Sequence, residues 1–236
     1  MNIQHKTIQN NSVTIHYIVV NSEKGGIPVI MIPGAINSAD EVLEAIKEYL
    51  STYHIIISLR GRGKSSSPEN GYTISDQASD ILAVIESEKL DSIVLFGHSL
   101  GSTIAIKAAS SIKEKVKGLI MGDFPPFYPP YNLEWAEHVN SFGDDIDIST
   151  KAVFGLANEA EYNDVSNELN ILKCRILAIR ASKDNTLLRE EDADKLKEIC
   201  PNCEVVLLNE SGHELISDNP KGLSQVIEEF TSKLLL

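Results

Sequence analysis

Gly97-His98-Ser99-Leu100-Gly101 sets a serine between two glycines at a strand-to-helix junction. The run before it, Ser92 to Phe96, is apolar and β-branched, and the stretch after it, Thr103 to Ala109, is alanine-rich with apolar residues on more than one face, as in a helix lying on a sheet. A sharp turn at this point exposes the serine hydroxyl and aims the Leu100 N–H at the same spot, and it requires glycine on either side because a side chain there would clash. Ser99 is therefore the candidate nucleophile. A serine hydroxyl is a weak nucleophile at neutral pH, so it needs a histidine base, a carboxylate to orient that base, and N–H donors for an oxyanion. His213, directly after the strand-like run Glu204 to Leu208, is the candidate base. Asp184, which follows the strand-like run Cys174 to Arg180 across Ala181-Ser182-Lys183, is the candidate acid. Asp123 also follows an apolar run, Val116 to Met121, and is the alternative. Such chemistry requires no cofactor and no metal.

The elements that must position these residues can be read from periodicity. Segments at about 3–9 and 13–20, joined across Asn10-Asn11-Ser12, read as an opening hairpin. Strand-like runs near 28–33, 54–59, 92–97, 116–121, 174–180 and 203–208 then alternate, in most gaps, with helical patterns near 38–51, 74–89, 100–113 and 189–199, before a closing helix from about 220 to 235. This predicts an α/β fold, a mostly parallel sheet of about eight strands with helices on both faces. Ligands of such sheets bind beyond the carboxyl ends of the strands, where Ser99, Asp184 and His213 all fall.

About fifty residues separate the strands near 121 and 174, too many for a simple loop in a compact domain. One domain over residues 1–236 with a cap or lid insertion at about 124–170 accounts for the chain. Six of the fourteen aromatic residues lie between positions 124 and 142, and this local enrichment predicts an apolar wall over the pocket or the glue of a small cap. Phe124, Phe127, Tyr128 and Trp135 are the candidate substrate contacts. The acidic stretch from Asn158 to Leu169 reads as an exposed cap helix.

Taken with these residues, the chain resembles the α/β-hydrolases of the compact esterase and lactonase type over most of its length. Val29-Ile30-Met31-Ile32-Pro33-Gly34-Ala35 is similar to that family's third strand and H-G-x oxyanion turn, which implies the Ala35 N–H as a second donor beside that of Leu100. Pro33 stands in the histidine position, so a side chain that often steadies the turn in relatives is missing. Ser58-Leu59-Arg60-Gly61-Arg62-Gly63-Lys64-Ser65 resembles the family's D-x-R-G-x-G-x-S segment, with Ser58 for the aspartate, and is a structural turn in which Arg60 bonds neighbouring backbone. The order nucleophile, acid, histidine is that of the family. Position after the next-to-last strand, at the family's spacing from His213, favours Asp184 over Asp123, where some relatives place the acid. The resemblance implies a serine hydrolase acting on a small to medium ester or lactone. The same triad serves thioesterases, carbon–carbon bond hydrolases, acyltransferases and perhydrolases, and the same fold serves ligand-binding or receptor proteins with little turnover.

A formal net charge of −13 argues against nucleic acid or an anionic membrane as partner, leaving a small-molecule substrate. The first residues lack the apolar core of a secretory signal and no stretch has the apolar length of a membrane span, so cytoplasmic residence is the expectation. Oligomeric state leaves no signal. Gly63-Lys64-Ser65 has Ser58 where a phosphate-binding loop needs its first glycine. Cys200 and Cys203 have no second pair, and His5, His16, His54 and His138 lack companion spacing, so no metal site is expected. His98, the variable position of the pentapeptide, need not touch substrate.

Overall fold

We describe the protein from a computed structural model, which covers residues 1–234 and, at Tyr128, the backbone alone. The opening hairpin pairs β1 (Ile3–Asn10) with β2 (Val13–Val20), and Asn11 turns the chain through a left-handed backbone at φ 54°. There follow β3 (Val29–Ile32), α1 (Ala39–Ile46), β4 (His54–Ile57), α2 (Ile74–Ser87), β5 (Ile93–His98), α3 (Leu100–Ser111) and β6 (Val116–Gly122). An insertion then carries β7 (Phe127–Tyr128), α4 (Leu133–Asn140), α5 (Thr150–Asn158), β8 (Asn163–Asp164) and α6 (Ser166–Asn170). The chain re-enters the sheet as β9 (Arg175–Ala181), α7 (Glu190–Ile199) and β10 (Cys203–Leu208), and closes with α8 (Leu215–Asp218) and α9 (Pro220–Ser232).

Eight strands form one sheet in the order β1-β2-β4-β3-β5-β6-β9-β10. β2 runs antiparallel to β1 and β4, and the remaining pairs are parallel. Successive residues serve opposite faces. Ile30, Ile32, Ile93 and Leu95 join the α2 and α3 side chains in one core, while Val29, Met31, Val94 and Phe96 join α1 and α9 in the other. Helix starts are set by short polar side chains: Ser38 with Glu41 and Thr73 with Asp76 form reciprocal capping boxes on α1 and α2.

The predicted helix over 158–169 is not formed as one. Asn163 and Asp164 instead pair with Tyr128 and Phe127 along the backbone, and only Ser166–Asn170 is helical. Asp164 Oδ1 accepts the Ser166 N–H at 3.0 Å, an acidic residue spent on a turn rather than on a helix face. Leu169 is buried, so the segment is not a wholly exposed one. A second strip of backbone ties the insertion to the body: Arg62 bridges Ile148, Gly63 donates to Asp147 O at 2.9 Å, and Ser149 donates to Gly61 O at 2.8 Å. Arg60 goes beyond its expected backbone bonds. It donates to Gly71 O and Asp76 O, and also grips the buried Asp80 carboxylate with two bonds of 2.7 Å.

Candidate active site

Ser99 sits between β5 and α3 with φ 54° and ψ −125°, a backbone that non-glycine residues rarely adopt and that surrounding structure must enforce. Both neighbouring glycines are forced by close approach. A Cβ on Gly97 would lie 2.2 Å from Gly101 O, and one on Gly101 would lie 2.2 Å from Ile32 O. The turn is further pinned by Ser99 N–H donating to Gly122 O at 2.9 Å and Ser102 Oγ donating to Gly97 O at 2.7 Å.

The hydroxyl so presented lies 3.0 Å from His213 Nε2. His213 Nδ1 meets Asp123 Oδ2 at 2.9 Å, so a proton on Nδ1 donates to the carboxylate and leaves the Nε2 lone pair facing Ser99. Asp123, not the expected Asp184, completes this chain of hydrogen bonds. β6 lies beside β5, with His98 paired to Gly122, which sets Asp123 next to the serine turn. The loop after β9 delivers donors to Asp123 rather than an acid to His213. Ala181 N–H and Leu187 N–H each donate at 2.9 Å, and Thr186 Oγ1 donates as well. Asp184 is exposed in that same loop. Burial alone would raise the Asp123 carboxyl, but the bonds from His213, Ala181, Thr186 and Leu187 outweigh it and hold the group below its ordinary value of 3.8.

A cavity of about 810 Å³ opens above Ser99 and His213. Its walls include Gly34, Ala35 and Asn37 from the turn after β3, Phe124, Phe127, Tyr131 and Trp135 from the insertion, and Arg189, Asp192 and Glu214.

Residues 27–139 match the family model described as the alpha/beta hydrolase fold. An esterase from Exiguobacterium antarcticum superposes with a TM-score of 0.79 over 93% of this chain and 96% of that one, at 22% identity. The chain has the α/β-hydrolase fold. N-formylmaleamate deformylase of Pseudomonas putida is 26% identical over 94% of both chains, and Lipase 3 of a Moraxella species is 26% identical over 82% of this chain and 73% of its own. Such relatives support a hydrolase activity.

Within this α/β-hydrolase frame the other predicted residues can be placed. Leu100 is the first residue of α3, so its N–H has no intrahelical acceptor and stays open beside Ser99. Ala35 lines the cavity, and a Cβ on Gly34 would stand 3.5 Å from the Ser99 Cβ. Phe124, Phe127 and Trp135 line it too, while the Tyr128 side chain lies outside the described residues. Trp135 also stacks on Tyr131 at 4.1 Å and packs on the small core of Ala136, Val139 and Val153, so it serves both wall and cap.

Two residues with roles here were not assigned from sequence. His98 is buried beside His213, with ring centroids 5.1 Å apart, and its Nε2–H donates to the His213 carbonyl at 2.7 Å. Burial, then repulsion from His213, lowers the His98 imidazole below its ordinary value, so it stays neutral while it holds the His213 backbone. Arg62 is the second. Fully buried, it donates from Nε to Ala35 O at 2.7 Å and from Nη1 to Arg60 O at 2.6 Å and Gln77 Oε1 at 3.2 Å. Burial pushes its guanidinium down to about 10. It steadies the Ala35 turn by binding its carbonyl. The only signal in sequence was an arginine inside a glycine-rich turn.

Proposed function

We propose that the chain is a serine hydrolase that cleaves a small to medium carboxylic ester or lactone through Ser99, His213 and Asp123. The observation that carries the reading is the hydrogen-bonded line from Ser99 Oγ through the His213 ring to Asp123, open to a cavity of small-molecule size. Ser99 Oγ attacks the substrate carbonyl carbon as its proton passes to His213 Nε2. The Ala35 and Leu100 N–H groups receive the oxyanion. Collapse breaks the ester C–O bond, and His213 returns the proton to the leaving alkoxide. His213 then takes a proton from water as its oxygen attacks the acyl carbon; the acyl carbon–Oγ bond breaks, and His213 returns that proton to Ser99 Oγ.

An uncharged acyl group suits the walls. The cavity's cation, Arg189, is set against two anions, Asp192 and Glu214, so the rim offers no net draw for a carboxylate. Three free thiols, Cys174, Cys200 and Cys203, fit the cytoplasm as the working compartment.

Hydrolysis of p-nitrophenyl acetate, butyrate and octanoate, with an N-formyl amide alongside, tests the reading on the full chain. Ester turnover by the wild type, lost about 10⁴-fold or more in Ser99→Ala and His213→Ala proteins that stay folded, is the expected result. Equal, residual rates in all three would discard it in favour of a protein that binds its ligand without turnover.

A further inference from the structure

The hairpin register pairs His5 with Ile18 and Thr7 with His16, so His5 and His16 are diagonal neighbours on one face of the sheet. That face is covered by α1, whose first turn carries Asp40. His5 Nδ1 lies 3.1 Å from His16 Nε2 and 3.8 Å from Asp40 Oδ1, while Asp40 Oδ2 lies 3.8 Å from His16 Nδ1, the ring nitrogen that also faces Ser58. One donor atom from each of the three residues falls within 4.8 Å of the other two. None of them lines the cavity above Ser99.

His5 Nδ1 and His16 Nε2 face each other as an imidazole–imidazole hydrogen bond, with ring centroids 5.3 Å apart and planes at 17°. A metal ion would replace that proton, and since ligands at about 2.0–2.1 Å stand about 3.3 Å apart, the 3.1 and 3.8 Å separations from His5 Nδ1 become a ligand set once the rings turn towards the ion. His16 is buried, and its Nδ1 lies 3.3 Å from the Ser58 hydroxyl, which itself accepts the Ala39 N–H at 2.9 Å. Such an outer partner fixes the orientation of a ligating ring. His5 and Asp40 keep 46% and 35% of their side-chain surface exposed, so the cluster is reachable from solvent. The Lys64 ammonium lies 2.8 Å from Asp40 Oδ1 on a side chain that is 61% exposed, so an arriving cation can displace it.

We propose that His5, His16 and Asp40 form a three-ligand site for a transition-metal dication of the Zn²⁺ type, which fastens the opening hairpin to α1. Two imidazoles and one carboxylate select such an ion over Mg²⁺ or Ca²⁺, which prefer all-oxygen shells. Water completes the coordination.

Isothermal titration of the tag-free, chelator-stripped full chain with ZnCl₂, paired with thermal melts, tests the site. One ion binds per chain, and Tm rises by roughly 5–10 °C at a hundredfold excess over Kd. His5→Ala, a change at an exposed position, and Asp40→Asn each weaken binding about tenfold or more. Lys64→Gln binds Zn²⁺ severalfold tighter, because the competing ammonium is gone; this arm does not depend on the ligand variants folding. Zinc held by the thiols of Cys200 and Cys203 or by His98 and His213 would bind the His5→Ala protein as well as the wild type. That result, or no uptake by the wild type, overturns the proposal.

Discussion

Asp123 receives hydrogen bonds on both carboxylate oxygens: Ala181 N–H and Thr186 Oγ1 reach Oδ1, while Leu187 N–H and His213 Nδ1–H reach Oδ2. Every partner is a donor, so an asparagine there must turn its NH₂ against one of the two pairs. Either the loop carrying Thr186 and Leu187 loosens, or His213 shifts its proton to Nε2 and can no longer accept from Ser99. Asp123→Asn is therefore expected to lower kcat/KM for p-nitrophenyl butyrate by about 10³–10⁴-fold, with KM little changed. Asp184→Asn, at an exposed position, leaves it within about twofold. The opposite ranking in parallel steady-state assays would return the acid to the loop after β9. Sequence pointed to both aspartates because each follows a strand; the choice turns on which strand lies beside β5, and that adjacency is a property of the assembled sheet. His5 and His16 were hidden in the same way. Eleven positions apart, they become neighbours only once the hairpin register is known.

At the scale of elements, the serine turn depends on how closely α3 approaches the ends of β3 and β5. The Cβ of an alanine at position 101 would fall 2.2 Å from Ile32 O and 2.5 Å from Pro33 O, and both are backbone atoms that cannot rotate aside. Gly101→Ala is expected to lower stability by about 3 kcal/mol, seen as an earlier urea midpoint, and to lower kcat by tilting the Leu100 N–H. A midpoint like that of the wild type would show that the approach is looser than described. The parallel strands of this fold were legible because such strands, when buried, read as apolar runs, and the antiparallel opening hairpin was legible from its Asn10-Asn11-Ser12 turn; all eight expected strands appear in the sheet. The stretch from 158 to 169 was not. Its charges suggested a solvated helix, yet its backbone is claimed by pairing with β7 and its Glu159 carboxylate by the N–H groups of Gly71 and Tyr72, partners far away in sequence.

Over the whole molecule, buried histidines set the response to acid. Burial, the leading cause at both His54 and His98, holds each imidazole below the ordinary 6.5. Unfolding restores that value, so below about pH 6.5 the unfolded chain binds more protons than the folded one and stability falls with pH. Approach to the isoelectric point near 4.9 works against this by relieving repulsion among the excess carboxylates, and about 0.5 M salt screens that second effect. In such salt Tm is expected to be flat between about pH 7 and 8 and to decline from about 6.5 towards 5; a Tm that rises over that lower interval would count against the buried neutral rings. The strip that joins residues 61–63 to 147–149 bears on a different matter, the exchange of parts between relatives. Because Arg62 supports the Ala35 turn with its side chain and meets Ile148 with its backbone, the insertion is not a detachable module. A chimera that imports a foreign cap between β6 and β9 must bring the matching glycine-arginine turn from the same donor, or it will inherit a new pocket roof over a misaligned Ala35 turn.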